Sequence, residues 1–188
     1  MGIREDIVNY IPCCEQEERD KPVILGFLDN NSDAFERSNL IAHMTASAWV
    51  VNPRRDKVLM VYHKIYDSWS WTGGHADGDT ELAGVALREV QEETGVKSAR
   101  LLSDDIFSLE ILTVDGHEKR GEYVPSHLHM NVTYLIEADD SDALSICESE
   151  NSGVQWFSPG DALKASTEPW FVERIYKKLI EKSGYKHG

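Results

Sequence analysis

The chain of 188 residues is long enough for one domain with a sizeable core, and 41% hydrophobic and 28% charged residues are ordinary for a soluble globular protein. A net charge of −14 argues against sequence-independent nucleic-acid binding and against docking on anionic membranes, because both need a basic surface. Three cysteines form neither a disulfide framework nor a zinc spacing, and no apolar run could span a bilayer, so we expect a cytoplasmic protein with reduced thiols.

Residues 1–43 are predicted to form a helical extension ahead of the main domain. Ile3 and Ile7 recur at helical spacing, and a second helix is predicted to begin after Asp20 with Pro22 in its first turn. We favour a helical cap that packs on the domain. A dimerisation arm, which would make the protein a homodimer, and a wall of a substrate pocket are the alternatives.

Strands are predicted from residue 45 onwards. The ranges 45–51 and 58–62 flank a polar turn and are typical of a hairpin. Trp69 and Trp71 then alternate with a serine, as at the end of a strand, and lead into a glycine pair. Core packing explains at least one of these rings. Trp69 is our candidate for stacking on a base or sugar, although two core tryptophans are the commoner arrangement.

The segment 73–96 is the most informative stretch and reads GGHADGDTELAGVALREVQEETGV. It predicts a turn and then an amphipathic helix that ends near Gly95. At about 100° per residue, Glu89, Glu92 and Glu93 share one helix face, and like charges at these spacings are destabilising unless compensated. The cluster indicates either a site for a hard divalent cation such as Mg²⁺ or a solvated face of an acidic protein.

The same segment resembles the Nudix box, whose pattern is Gly, five residues, Glu, seven residues, then Arg-Glu-aliphatic-any-Glu-Glu-any-Gly-aliphatic. Gly74 takes the first position, and the residues from Arg88 to Val96 take the later ones at the right spacing. Thr80 stands where the first Glu belongs. In the family that Glu pairs with the box Arg, so the departure bears on how Arg88 is anchored.

The resemblance implies an α/β fold, a Nudix-type α/β/α sandwich with a mixed sheet, over residues 44–188. It also implies a metal-dependent hydrolase that uses Mg²⁺ or Mn²⁺ to cleave a diphosphate linkage in a small nucleoside-diphosphate-type substrate. Glu89, Glu92, Glu93 and the carbonyl of Gly73 would hold the metal, and Arg88 would keep the carboxylates in position.

Two other functions stay open at this point. One is a non-catalytic Nudix domain that senses a nucleotide, which the intact glutamate cluster disfavours. The other is an isoprenyl-diphosphate isomerase, a reaction that the family resemblance links to a cleft cysteine beside the strand that leads to the box. This chain has Trp69 to Thr72 there.

Beyond the box, strands are predicted at 106–114 and 128–137, separated by a long polar loop at 115–126. His127 and His129 lie two apart and so share one face of the second strand. With His75, which follows Gly74, three imidazoles could meet near the box. We expect them to hydrogen-bond substrate or to lie at the edge of the core. A zinc site is the less favoured alternative, because no motif-grade ligand spacing supports it.

Near the C-terminus, the segment from Glu150 to the aromatic pair at 156–157 resembles the family segment that returns a loop carboxylate to the active site. Glu150 is therefore our candidate for an extra metal ligand or general base. Glu148 is the alternative, and plain surface charge is as common a role. A last helix is predicted to begin near Thr167.

Overall fold

The structure is a computed structural model that describes residues 2–119 and 121–185. Its elements in chain order are α1 (Ile3–Asn9), α2 (Glu15–Asn30), β1 (Ala42–Val51), β2 (Val58–His63), β3 (Ser68–Ser70), β4 (Thr72–His75), α3 (Leu82–Thr94), β5 (Arg100–Leu101), β6 (Ser108–Val114), β7 (His117–Lys119), β8 (Glu122–Val124), β9 (His127–Glu137), β10 (Asn151–Phe157), α4 (Pro159–Ala165), α5 (Pro169–Phe171), a π-helical turn (Val172–Tyr176) and α6 (Lys177–Lys182).

The sheet is mixed, as predicted, and β1 lies at its centre. Strand β1 pairs in parallel with β9 along its whole length, from Ala42↔Leu128 to Val51↔Glu137, and antiparallel with β2 and β4. Strand β10 extends the sheet beyond β2, whereas β5 and β6 both pair with β9. All ten residues of β1 are buried, which is expected of a strand covered on both faces.

Two apolar clusters pack on opposite faces of this sheet. Even-numbered residues of β1, such as Met44 and Val50, pack with Val90 of α3 in one cluster. On the other face, Trp49 packs with Ile175 and with other residues of the C-terminal helical segment. The odd-numbered face of β1 is polar at its beginning and apolar at its end. The polar side chains at its beginning, His43, Thr45 and Ser47, line a cavity that the glycine pair and the glutamates of the box also line.

The second helix begins earlier than predicted. Helix α2 starts at Glu15 and carries Pro22 in its interior rather than in its first turn. Proline removes one helical hydrogen bond, and side-chain contacts made by the turns before it hold the helix together. Gln16 donates to the Leu109 carbonyl at 2.8 Å, and Ile111 N–H donates to the carboxylate of α2 residue Asp20 at 3.0 Å. These groups cover the open edge of β6.

The helical extension also contributes to the core. Ile7 and Ile24 are fully buried in the cluster that contains α3. The boundary between residues 43 and 44 stays a prediction. The assignment of residues 1–43 as a helical cap likewise stays a prediction.

Two other segments differ from the prediction. The polar loop at 115–126 contains a hairpin, β7–β8, whose turn includes Gly121 at φ +82°. The last helical segment has Glu168 rather than Thr167 as its N-cap, begins at Pro169, and passes through a π-helical turn. Among the described residues, no helix has both the length and the apolar content needed to cross a membrane.

Candidate active site

Strand β4, the turn after it and helix α3 together form the segment predicted from the box. The apolar side of α3, with Leu82, Val85 and Val90, is buried against β1 and β9. The helix ends at Gly95, whose φ of +73° permits the left-handed cap and whose N–H donates to Gln91. Burial of the apolar side fixes the helix rotation and presents the carboxylates to a cavity beside β4.

Glu93 lies at the inner end of this carboxylate cluster. It is 2% exposed, and its Oε1 accepts a hydrogen bond from Gly73 N–H at 2.9 Å. A Cβ on Gly73 would stand 2.8 Å from the carbonyl oxygen of Ala46. Position 73 therefore requires glycine, because only an absent side chain lets β4 lie this close to β1.

Glu89 lies against the second glycine. A Cβ on Gly74 would stand 2.4 Å from the Glu89 carboxyl carbon and 2.5 Å from one of its oxygens. The space that a side chain would take at position 74 is thus filled by the carboxylate. Glu92, one turn further along α3, is exposed and lines the same cavity.

The environment of these carboxylates opposes their ionisation. Burial raises the pKa of Glu93 to about 8, against the lowering effect of the Gly73 N–H. Burial, followed by the charges of Glu92 and Glu150, raises the pKa of Glu89 to about 7. Hard carboxylate oxygens that repel one another suit a divalent cation such as Mg²⁺, so the donor set fits the ion that the family implies.

The carboxylates of Glu89, Glu92 and Glu93 nevertheless do not lie close together. Among the described residues, two groups of three or more ligating side chains have all their ligand atoms within 4.8 Å of one another. They are His43, His75, His127 and His129, and Cys13, Cys14 and Glu17. Glu89, Glu92 and Glu93 are more widely spread, an arrangement compatible with Mg²⁺, which commonly keeps several waters.

Arg88 pairs with Asp79, in place of the glutamate that is missing from the box. Its guanidinium lies 3.6 Å from the carboxylate of Asp79, the residue before Thr80. Both side chains are partly exposed, so the pair contributes little stability. Arg88 also lines the cavity.

The cavity that these residues share has a volume of about 910 Å³. Glu150 lines it whereas Glu148 does not, which favours Glu150 as the additional carboxylate. Trp71 lines it as well. The ring of Trp69 instead packs edge-on against Tyr62 and Phe157, so its placement gives no support to a role in substrate stacking.

Sequence reasoning missed two cations that line this cavity, Arg37 and Lys64. Arg37 makes a bidentate pair with Asp77, with both N···O distances at 2.5 Å. Neither cation belongs to a motif, and the fold alone brings them to the carboxylates. The one sequence feature that could have drawn attention to Arg37 and Lys64 is the small number of basic residues in this acidic chain.

The histidines at 75, 127 and 129 do meet, and a fourth joins them. His43 on β1 pairs directly with His129 on β9. The ring centroids of neighbouring histidines lie 4.9–5.1 Å apart. His43 was missed because a lone histidine at the start of a buried strand carries no spacing signal.

Comparisons with known proteins agree with this architecture. A family model described as the NUDIX domain matches residues 42–179. The human "Diphosphoinositol polyphosphate phosphohydrolase 3-beta" is 35% identical over 114 residues, which are 59% of this chain and 60% of that protein. The "Probable DHNTP pyrophosphohydrolase" of Lactococcus lactis is 22% identical over 144 residues, 75% of this chain and 83% of that protein.

Among solved structures, the C. elegans Ap4A hydrolase in a binary complex matches with a TM-score of 0.54 and 17% identity, covering 75% of this chain and 94% of that one. At this identity the likeness is one of fold. The chain spans about three fifths of the length of the human relative that it matches.

Proposed function

Because this chain belongs to the Nudix hydrolase family, we propose that it hydrolyses a diphosphate linkage in a small nucleoside-diphosphate-type substrate, with Mg²⁺ or Mn²⁺. The names of the relatives mention diphosphoinositol polyphosphate, DHNTP and Ap4A, and a phosphoanhydride is common to all three. The observation that carries the proposal is the cavity where Glu89, Glu92 and Glu93 meet the backbone of Gly73.

The residues of the site would have separate roles. Glu89, Glu92 and Glu93, with the carbonyl of Gly73, would hold the cation. When bound, such an ion neutralises charge on the phosphate oxygens and lowers the pKa of an attacking water. The hydrogen bond from Gly73 fixes Glu93 and limits the reorganisation needed for ligand binding.

Other residues that line the cavity would bind the substrate, accept a proton or hold the carboxylates. Arg37 and Lys64 would bind phosphate oxygens. Arg37 would do so while paired with Asp77, and Lys64 while its Nζ donates to the Glu148 carbonyl. Glu150 stands near enough to raise the pKa of Glu89 and is the best candidate to accept a proton from water or to join the metal ligands. Arg88 would hold the carboxylates in place, as the box resemblance implies.

A screen of candidate substrates tests the reaction. Nucleoside triphosphates, dinucleoside polyphosphates, nucleotide sugars and diphosphoinositol polyphosphates would be incubated with Mg²⁺ or Mn²⁺. Phosphate release would be measured with and without added pyrophosphatase. A sensing domain would bind a compound from this panel without releasing phosphate, and that outcome would reject the hydrolase.

Variants then test the residues. Glu92→Gln and Glu93→Gln should each lower kcat by about 10²–10³, the scale on which a transition-state stabiliser acts. Glu150→Gln should also lower kcat, whereas Glu148→Gln should not, because only Glu150 lines the cavity. Near-normal turnover in both Glu92→Gln and Glu93→Gln would refute the metal-site assignment.

A further inference from the structure

Four histidines from three neighbouring strands converge at one end of the cavity. His43 is at the start of β1, His75 is at the end of β4, and His127 and His129 are at the start of β9. Register brings them together: His43 pairs with His129, and His75 pairs with Thr45, two residues further along β1. Because side chains of directly paired and alternate residues share a sheet face, all four imidazoles project from the same side.

Backbone carbonyls fix two of these rings. His43 Nδ1 lies 3.1 Å from the Asn39 carbonyl oxygen, and His127 Nδ1 lies 2.8 Å from the Pro125 carbonyl oxygen. A carbonyl only accepts, so each Nδ1 must carry the proton and donate it. Each ring is thereby left with an Nε2 lone pair. This is the arrangement by which proteins orient histidines that bind metal ions.

The ring nitrogens of the cluster lie close together. His43 Nε2 has no hydrogen-bond partner, although the residue is only 4% exposed. His127 Nε2 lies 3.2 Å from His129 Nε2 and accepts the proton that His129 Nε2 donates, a proton that a bound metal ion would replace. Two nitrogens bound to one tetrahedral Zn²⁺ at the usual Zn–N length would be roughly 3.3 Å apart. The spacing therefore matches two ligands of a common ion.

The surroundings of His129 and His43 disfavour protonation of these two rings, and the neutral ring is the form that binds metals. Burial and the neighbouring imidazoles lower the pKa of His129 to about 2, and burial also lowers that of His43. Arg37, which faces the cluster, opposes protonation of both rings. A buried polar atom without a partner is costly, and an ion bound to His43 Nε2 would remove that cost.

The second close group of ligating side chains lacks this property. Glu17 already accepts hydrogen bonds from Cys13 N–H and Ser108 and forms an ion pair with Lys178. Its carboxylate oxygens are therefore occupied. Only the histidine cluster combines close spacing with an unpartnered buried ligand atom among the described residues.

We propose that His43, His75, His127 and His129 bind a Zn²⁺ ion, at a site separate from the glutamate cluster. Imidazole suits borderline transition metals, whereas Mg²⁺ selects oxygen ligands, so the two sites would discriminate between cations. Four protein ligands make a closed, structural site. It ties β1, β4 and β9 together and holds the strand that carries Gly73 and Gly74.

The test uses the full chain without a histidine tag, stripped with a chelator and supplied with one metal at a time. We expect one Zn²⁺ per chain by elemental analysis, and binding that excess Mg²⁺ does not displace. Co²⁺ should give the strong visible absorption of a tetrahedral site. No substrate is present, so failure here would leave the proposed hydrolysis untouched, and failure of the substrate screen would leave this site untouched.

Variants distinguish the cluster from casual binding by surface histidines. His43→Ala and His127→Gln should each weaken Zn²⁺ binding by about tenfold to a hundredfold or more, since loss of an outer-shell partner alone costs that much. His127 is at the partly exposed rim, so its variant tests the site even if His43→Ala fails to fold. His117→Ala is the matched control, because His117 lines the same cavity outside the cluster.

Three outcomes would overturn the proposal. They are a zinc content well below one per chain in the wild type, full displacement by Mg²⁺, or equal loss of zinc in His117→Ala and His127→Gln. Retention of zinc in His117→Ala and Glu92→Gln, with loss in His127→Gln, would support it.

Discussion

Alanine at position 74 should impair the metal site while leaving the fold intact. The added Cβ would stand 2.4 Å from the Glu89 carboxyl carbon, where ordinary contact begins at 3.4 Å. The carboxylate must therefore move by about 1 Å, and a displacement of that size in an active site can cost about 10²-fold in rate. The obstructing group is the end of a flexible side chain, so the free energy of unfolding should fall by less than about 1 kcal/mol.

Mn²⁺ titration followed by electron paramagnetic resonance measures the effect without a substrate, and turnover measures it once the screen has supplied one. The matched control is Gly73→Ala, whose Cβ would meet backbone atoms, the Ala46 carbonyl oxygen at 2.8 Å and Ser47 Cα at 2.9 Å. Backbone cannot move aside, so this variant should lose about 1–3 kcal/mol of stability. Wild-type Mn²⁺ affinity and turnover in Gly74→Ala would show that the position of Glu89 is unimportant and refute the reasoning.

Two further predictions concern the buried ion pairs between α2, β6 and α6. Lys178 lies 3.0 Å from Glu17 and 3.2 Å from Glu110, and both glutamates are fully buried. Lys178→Met should therefore lower the free energy of unfolding by about 3 kcal/mol. This is the low end for a broken buried pair, because Lys182 remains 3.8 Å from Glu17. Urea denaturation measures this, and an unchanged midpoint would contradict it. Burial alone would raise the pKa of Glu17, but the Cys13 N–H and Lys178 lower it from 4.5 to about 2. Its stabilising contribution should therefore be complete above pH 4.5 and disappear as the pH falls through about 2. The difference in unfolding free energy between wild type and Glu17→Gln should narrow over that interval, and a constant difference would show that Glu17 does not titrate there.

The sequence predicts best the parts of the fold that local patterns determine. The box glycines and glutamates have fixed spacing because a strand, a turn and one helix face must bring them together. Alternation likewise indicates the strands around Trp49 and Met130, whose bounds were predicted to within a few residues. Pro22 misled the prediction because the contacts that hold α2 around it come from β6, far away in the chain.

The parts that could not be predicted depend on strand pairing. His43 and His129 are neighbours only because β1 and β9 run parallel in one register, and Arg37 reaches the cavity only because the chain folds back before β1. Thr80 shows a related limit. The missing glutamate was visible in the sequence, but the use of Asp79 in its place depends on the path of the turn.

The two apolar clusters are separated by the backbone of the central strand. Val90 packs on one side of that layer and Ile175 on the other. Substitutions in one cluster should therefore add to those in the other with little coupling, because the sheet lies between them. Mutational drift or deliberate redesign could proceed in either half without compensating changes across the sheet.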